Sequence, residues 1–134
     1  MTSAFFVGID DDRAEIGNYG LVFGAAASME TDAVDHRWGS PADVFVLGSA
    51  DNFPGKYMPL DLDRYAPYPH EGPPRPDIRA DIVYFETASG GAVFSVGSIG
   101  WCGSLSANHY QNDVSTLTRN ALDVLLSRRS LFEN

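Results

Sequence analysis

The sequence has 134 residues, 44% of them hydrophobic and 20% charged, which suits one globular domain and leaves little room for a second. Its formal net charge of −9 reflects a single lysine, Lys56, and scattered acidic residues, so a phosphate backbone is repelled and nucleic-acid binding is excluded. One cysteine, Cys102, excludes an internal disulfide and a cysteine-built zinc site and suits a reducing compartment.

The opening M-T-S-A-F-F-V-G-I-D lacks the basic start of a signal peptide, and no apolar run reaches membrane-spanning length. The expectation is a soluble, cytoplasmic chain. Phe5 to Ile9 reads as a short strand, stopped by Asp10, Asp11 and Asp12. Gly17-Asn18-Tyr19-Gly20 is turn chemistry, and the small apolar run from Leu21 to Ala27 has no clear period. Asp43 to Ser49 is a continuous β-branched and aromatic run between turn residues, which predicts a strand buried on both faces. Residues 54–76 carry seven of the eight prolines and three tyrosines. Proline lacks the amide for a ladder or helix interior, so this is a long irregular loop.

Two further strands are predicted, Asp81 to Glu86 and Ala92 to Val96. Ser89-Gly90-Gly91 between them supplies the positive-φ residues of a tight antiparallel hairpin. The last helix opens at Asn112 or Asp113, where a short polar side chain satisfies free amides. Val114, Leu117, Ala121, Leu122, Val124 and Leu125 give it one apolar face, and Arg128 and Arg129 suit its negative end. Helices able to cover two faces of a sheet are missing. Residues 1–134 therefore read as a single domain that is either a fragment of a larger α/β unit or pairs with another chain, with apolar surface left for self-association or a partner subunit.

Glu30 and Asp32 are separated by one residue, so an extended backbone turns both to one side, an arrangement suited to general-base work. A solvated acidic turn is the plainer alternative. Cys102 and His109 invite a thiol-hydrolase reading, but no strand-to-helix elbow surrounds Cys102, and a packed, inert cysteine is expected. His36, His70 and His109 lack metal spacing, so no metal site is assigned. Glu86 reads as an edge charge beside the hairpin. Trp101, with Ser98, Ser104, Asn108 and Asn112, could line a pocket, or could be a buried indole among hydrogen-bonded turns.

Several stretches together carry a resemblance: Asp81 to Thr87, Gly90 to Ile99, Trp101 to Leu105, Asn108, and Asn112-Asp113-Val114-Ser115 through Leu122, with Gly17 to Leu21 and Ala25 to Asp32 more loosely. They resemble the C-terminal end of the N,N-dimethylformamidase large (beta) subunit family. That likeness implies the closing part of a three-layer, Rossmann-like, glutamine-amidotransferase-like sandwich with a late β-hairpin and a C-terminal helix. It implies an amidohydrolase acting on the C–N bond of a small formamide, inactive as this chain alone. The implied iron, held by two tyrosines and a glutamate, has its ligands outside this chain. A catalytic carboxylate of the family matches Glu30, with Asp32 two positions on, and Trp101, Ser98 and Asn108 are the substrate-binding candidates. Ser28 stands where the family pattern has glycine, which bears on how the Glu30 carboxylate is aimed. A non-catalytic interaction or oligomerisation module derived from the same fold is the alternative.

Overall fold

The computed structural model describes residues 2–10, 15–53, 57, 76 and 78–127. Its centre is a three-stranded antiparallel sheet in the order β1 (Phe45–Ala50), β2 (Ala80–Glu86), β3 (Ala92–Ser95). The β2–β3 hairpin follows the expected residues. Gly90 sits at φ 83°, and the Thr87 amide donates to the Gly91 carbonyl at 2.7 Å, which closes the turn.

Burial separates the strands. Central β2 is covered on both sides, with Ala80, Asp81, Val83 and Tyr84 all buried. β1 departs from expectation: it is an edge strand, Val46 is 49% exposed, and the register slips between Val46 and Gly48. A bulge of this kind bends an edge strand and blunts further pairing. Glu86 likewise lies on the central strand rather than an edge. It pairs with Ala92 and accepts a hydrogen bond from the Tyr84 hydroxyl at 3.0 Å.

The N-terminus corrects a second expectation. Thr2–Phe6 forms a 3-10 helix, not a strand. The Phe5 and Val7 carbonyls, which a strand would offer to a neighbour, each accept from Asn120 Nδ2 at 2.9 Å. Phe5 is turned into the core, with ring centroids 5.2 Å from Tyr84 and 5.9 Å from Phe94.

Two α-helices follow the sheet. The short α1 (Gly100–Ser104) falls within a stretch read from sequence only as turns, and α2 (Asp113–Leu126) is the expected long helix. Asn112 caps α2, its Oδ1 accepting from the Ser115 amide at 2.8 Å. The buried stripe of α2 is narrower than the apolar pattern suggested. Val114, Leu117 and Ala121 are buried, whereas Leu122 and Leu125 are exposed. Spacing sets which residues share a face, but only a covering element buries them. With Ile9, Ala26 and Trp101 the buried stripe completes the main core. Arg128, Arg129, His70 and most of the proline-rich 54–76 loop lie outside the described residues. Among the described residues no helix is long and apolar enough to cross a membrane.

Candidate active site

Residues 21–32 run antiparallel to 97–103 and are stitched to them at successive points. The Leu21 amide donates to the Gly103 carbonyl at 3.0 Å, Gly100 to Ser28 at 3.3 Å, Ile99 to Glu30 at 3.4 Å, and Asp32 to Gly97 at 2.8 Å. Thr31 and Ser98 form a β-bridge between them. The ladder ends against β2, where the Asp81 amide donates to the Asp32 carbonyl at 3.0 Å.

Small residues make this approach possible. A Cβ on Gly100 would lie 2.0 Å from Ser28 Oγ. One on Gly97, at φ 60°, would lie 2.5 Å from the Asp81 carbonyl and 2.6 Å from that of Asp32. Ser28 is buried at 2% exposure, and its Oγ donates toward the Val22 and Ala25 carbonyls at 2.9 Å. The residue after it, Met29, is left-handed at φ 65°, and its amide donates to Tyr57 Oη at 3.0 Å. A strained φ held by hydrogen bonds on both sides fixes the chain just before Glu30.

Glu30 and Asp32 therefore have pinned backbones and exposed side chains. Ser98 shares their ladder, but its hydroxyl is committed: it donates to the Ser28 carbonyl at 2.7 Å and accepts from the Ser28 amide at 2.8 Å and the Gly100 amide at 3.2 Å. Trp101 is 5% exposed, and its Nε1 donates to Thr118 Oγ1 at 3.0 Å, so it ties α1 to α2 from inside. Asn108 is exposed and stands apart, in the turn before α2, with its Nδ2 donating to the Gln111 carbonyl.

Cys102 is exposed, which corrects the expectation of a packed thiol. Successive helical residues are rotated by about 100°, so turning Trp101 inward carries its neighbour outward. His109 is exposed as well, in a run of three left-handed residues: Asn108 at φ 48°, His109 at 53° and Tyr110 at 64°. The sequence offered one weak signal for that run, the asparagine, the residue after glycine that best tolerates this conformation.

Sequence reasoning also missed an ion pair between a buried carboxylate and a part-exposed arginine. Asp81 is 2% exposed and accepts from Ser49 Oγ at 2.6 Å, Arg79 Nε at 2.8 Å, Arg79 Nη2 at 2.7 Å and the Val34 amide at 2.9 Å. Burial alone pushes its carboxyl up. The donors from Arg79, Ser49 and Val34 outweigh that and hold it below the ordinary carboxylate value. The signal was Arg79-Ala80-Asp81, an alternation that puts both charged side chains on one face of a strand. Near the surface, the Arg37 side chain holds Asp35 down at about 2. On β2, burial and then the neighbouring Glu86 push the Tyr84 hydroxyl up to about 12.

Residues 2–112, which include the sheet, the ladder and the cap of α2, match the family described as N,N-dimethylformamidase beta subunit-like, C-terminal. The chain belongs to this family. It is 45% identical over 116 residues to the N,N-dimethylformamidase beta subunit of Paracoccus aminophilus, and 42% identical over 117 residues to that of an Alcaligenes species. The alignments take in 86% and 87% of this chain but only 15% of each relative, so the chain spans about 15% of the length of the curated relatives it matches. Among the described residues, no three His, Cys, Asp or Glu side chains are grouped so as to hold a metal ion.

Proposed function

We propose that this chain is the C-terminal portion of an amide hydrolase resembling N,N-dimethylformamidase, acts on a small formamide, and is inactive without the polypeptide that carries the remaining catalytic groups. The observation that carries this reading is an exposed carboxylate, Glu30, on a backbone held by the 97–103 segment on one side and preceded by a pinned left-handed residue. Family membership at 45% identity supports it. A positioned backbone with a free carboxylate is what general-base catalysis requires, because the base must stand within hydrogen-bond reach of the proton it takes.

In this scheme Glu30 accepts a proton from water as its oxygen attacks the formyl carbon. The same carboxyl returns that proton to the amide nitrogen as the C–N bond breaks, which yields formate and an amine. Asp32 lies two residues on and orients the attacking water. The fold is the closing edge of a glutamine-amidotransferase-like sandwich, and a reducing compartment such as the cytoplasm suits the exposed thiol of Cys102. Formamide hydrolysis, read as amine release in the assembled enzyme, tests the scheme. Glu30→Gln is expected to lower kcat about 10²–10⁴-fold with no change in unfolding midpoint, and an unchanged rate overturns the assignment. A non-catalytic module, the reading favoured by exposed side chains such as Trp38 at 88%, would show no effect of that substitution.

A further inference from the structure

The ladder that fixes Glu30 has an inner and an outer side. Ser28, Gly100 and Trp101 turn inward and are buried. Along the same two strips Leu21 is 84% exposed, Phe23 70%, Met29 50% and Ile99 53%, and Cys102 is exposed beside them. Large apolar side chains left exposed along two strips that are hydrogen-bonded to each other are of the kind that marks an interaction face. The ladder hydrogen bonds hold this patch in place, so a partner would meet a preformed surface with little ordering cost.

We propose that this outer face is the interface with the remainder of the catalytic unit, the polypeptide corresponding to the part of the relatives' beta subunit outside the matched segment. The proposal rests on the catalytic reading of Glu30. Two observations choose this occupant over a second copy of the chain. The chain accounts for only 15% of each relative, and the matching family segment is a C-terminal one, so most of such a unit lies before it. Glu30 lies between exposed Met29 and its backbone partner Ile99, and a base works only when the substrate and the groups polarising it are within about 3 Å of it. Whatever polypeptide brings those groups must therefore come up against Met29 and Ile99, and Leu21 and Cys102 extend the exposed face along the same strips. A second copy would bring only more of the same acidic chain.

Cys102 is a built-in reporter, being the one cysteine of the sequence. The test co-expresses this chain with the Paracoccus aminophilus beta subunit lacking its matched segment and cysteine-free by substitution. It measures complex formation by size-exclusion chromatography with light scattering, and labelling of Cys102 by a maleimide. A one-to-one complex with Cys102 labelling slowed at least tenfold relative to the chain alone is expected. Leu21→Asp combined with Ile99→Asp, both at exposed positions, is expected to weaken the complex at least 100-fold, whereas Trp38→Asp leaves it within twofold. Absence of a complex, or a complex indifferent to the Leu21 and Ile99 pair with Cys102 still fully reactive, overturns the proposal. So does protection of Cys102 in a homodimer of the chain alone. If the complex forms and protects Cys102 while Glu30→Gln leaves hydrolysis unchanged, the interface stands and the catalytic reading fails.

Discussion

Asp81 and Glu30 lie on either side of one backbone junction, where the Asp81 amide meets the Asp32 carbonyl, and they use a carboxylate in opposite ways. Asp81 is buried and its oxygens accept from Ser49, Arg79 and the Val34 amide, so its charge is spent on tying residue 34, β1 and β2 together. Glu30 has its backbone bound and its side chain exposed. A carboxylate whose lone pairs are all satisfied inside the protein stabilises the fold but has none left for a substrate. One on a pinned, exposed segment contributes little to stability and keeps its chemistry. The difference separates an acid consumed by the fold from one left exposed more sharply than spacing does.

Substitutions can break that contrast, and their effects should fall in order. Glu30→Gln should give the largest, a loss of about 10²–10⁴ in kcat of the assembled enzyme, with urea unfolding of the chain unchanged. Gly97→Ala attacks the junction itself, since the new methyl meets the carbonyls of Asp81 and Asp32 at a left-handed φ. It should cost about 2–4 kcal/mol in urea unfolding and displace both carboxylates at once. Asp81→Asn keeps the shape but loses charge-assisted bonds, and should cost about 1.5–3 kcal/mol by the same measurement.

Acid sharpens the comparison further. The Asp81 carboxyl lies below its unfolded value of about 3.9, so its contribution is fully present above that value and disappears as pH falls through the folded one. Thermal melts from pH 6 downward should therefore fall more steeply below about pH 4 in the wild type than in Asp81→Asn. Identical slopes would remove Asp81 from this account. Smaller still, Thr118→Val removes the acceptor of the Trp101 indole and should cost about 1 kcal/mol. Arg37→Ala, which removes a solvent-exposed guanidinium from half-buried Asp35 but leaves the residue-37 amide bonded to it, should leave the melting temperature unchanged.

Much of the local architecture was legible in the residues themselves. The Gly90-Gly91 hairpin, the proline-free β2 and β3 runs and the Asn112 cap are short-range rules, set by φ preferences and by amide satisfaction within a few residues. The site was legible only as a pair of carboxylates two residues apart. What holds Glu30 is a partner segment some seventy residues later in sequence, and nothing in the spacing of either strip announces the other.

The same limit explains each departure. Phe5 looks like a strand residue because aromatic neighbours favour strands, yet Asn120, 115 residues away, takes its carbonyl and leaves a 3-10 turn. Cys102 looks packed because its neighbours are apolar and small, yet the turn that buries Trp101 exposes it. By itself, then, the sequence determined where the chain bends, pairs locally and starts its last helix, and it carried the family likeness. Tertiary structure alone decided which polar groups are consumed and which remain free. Hydrogen-bond satisfaction and burial depend on what lies across the fold, whereas turn and helix chemistry depend on what lies next along the chain.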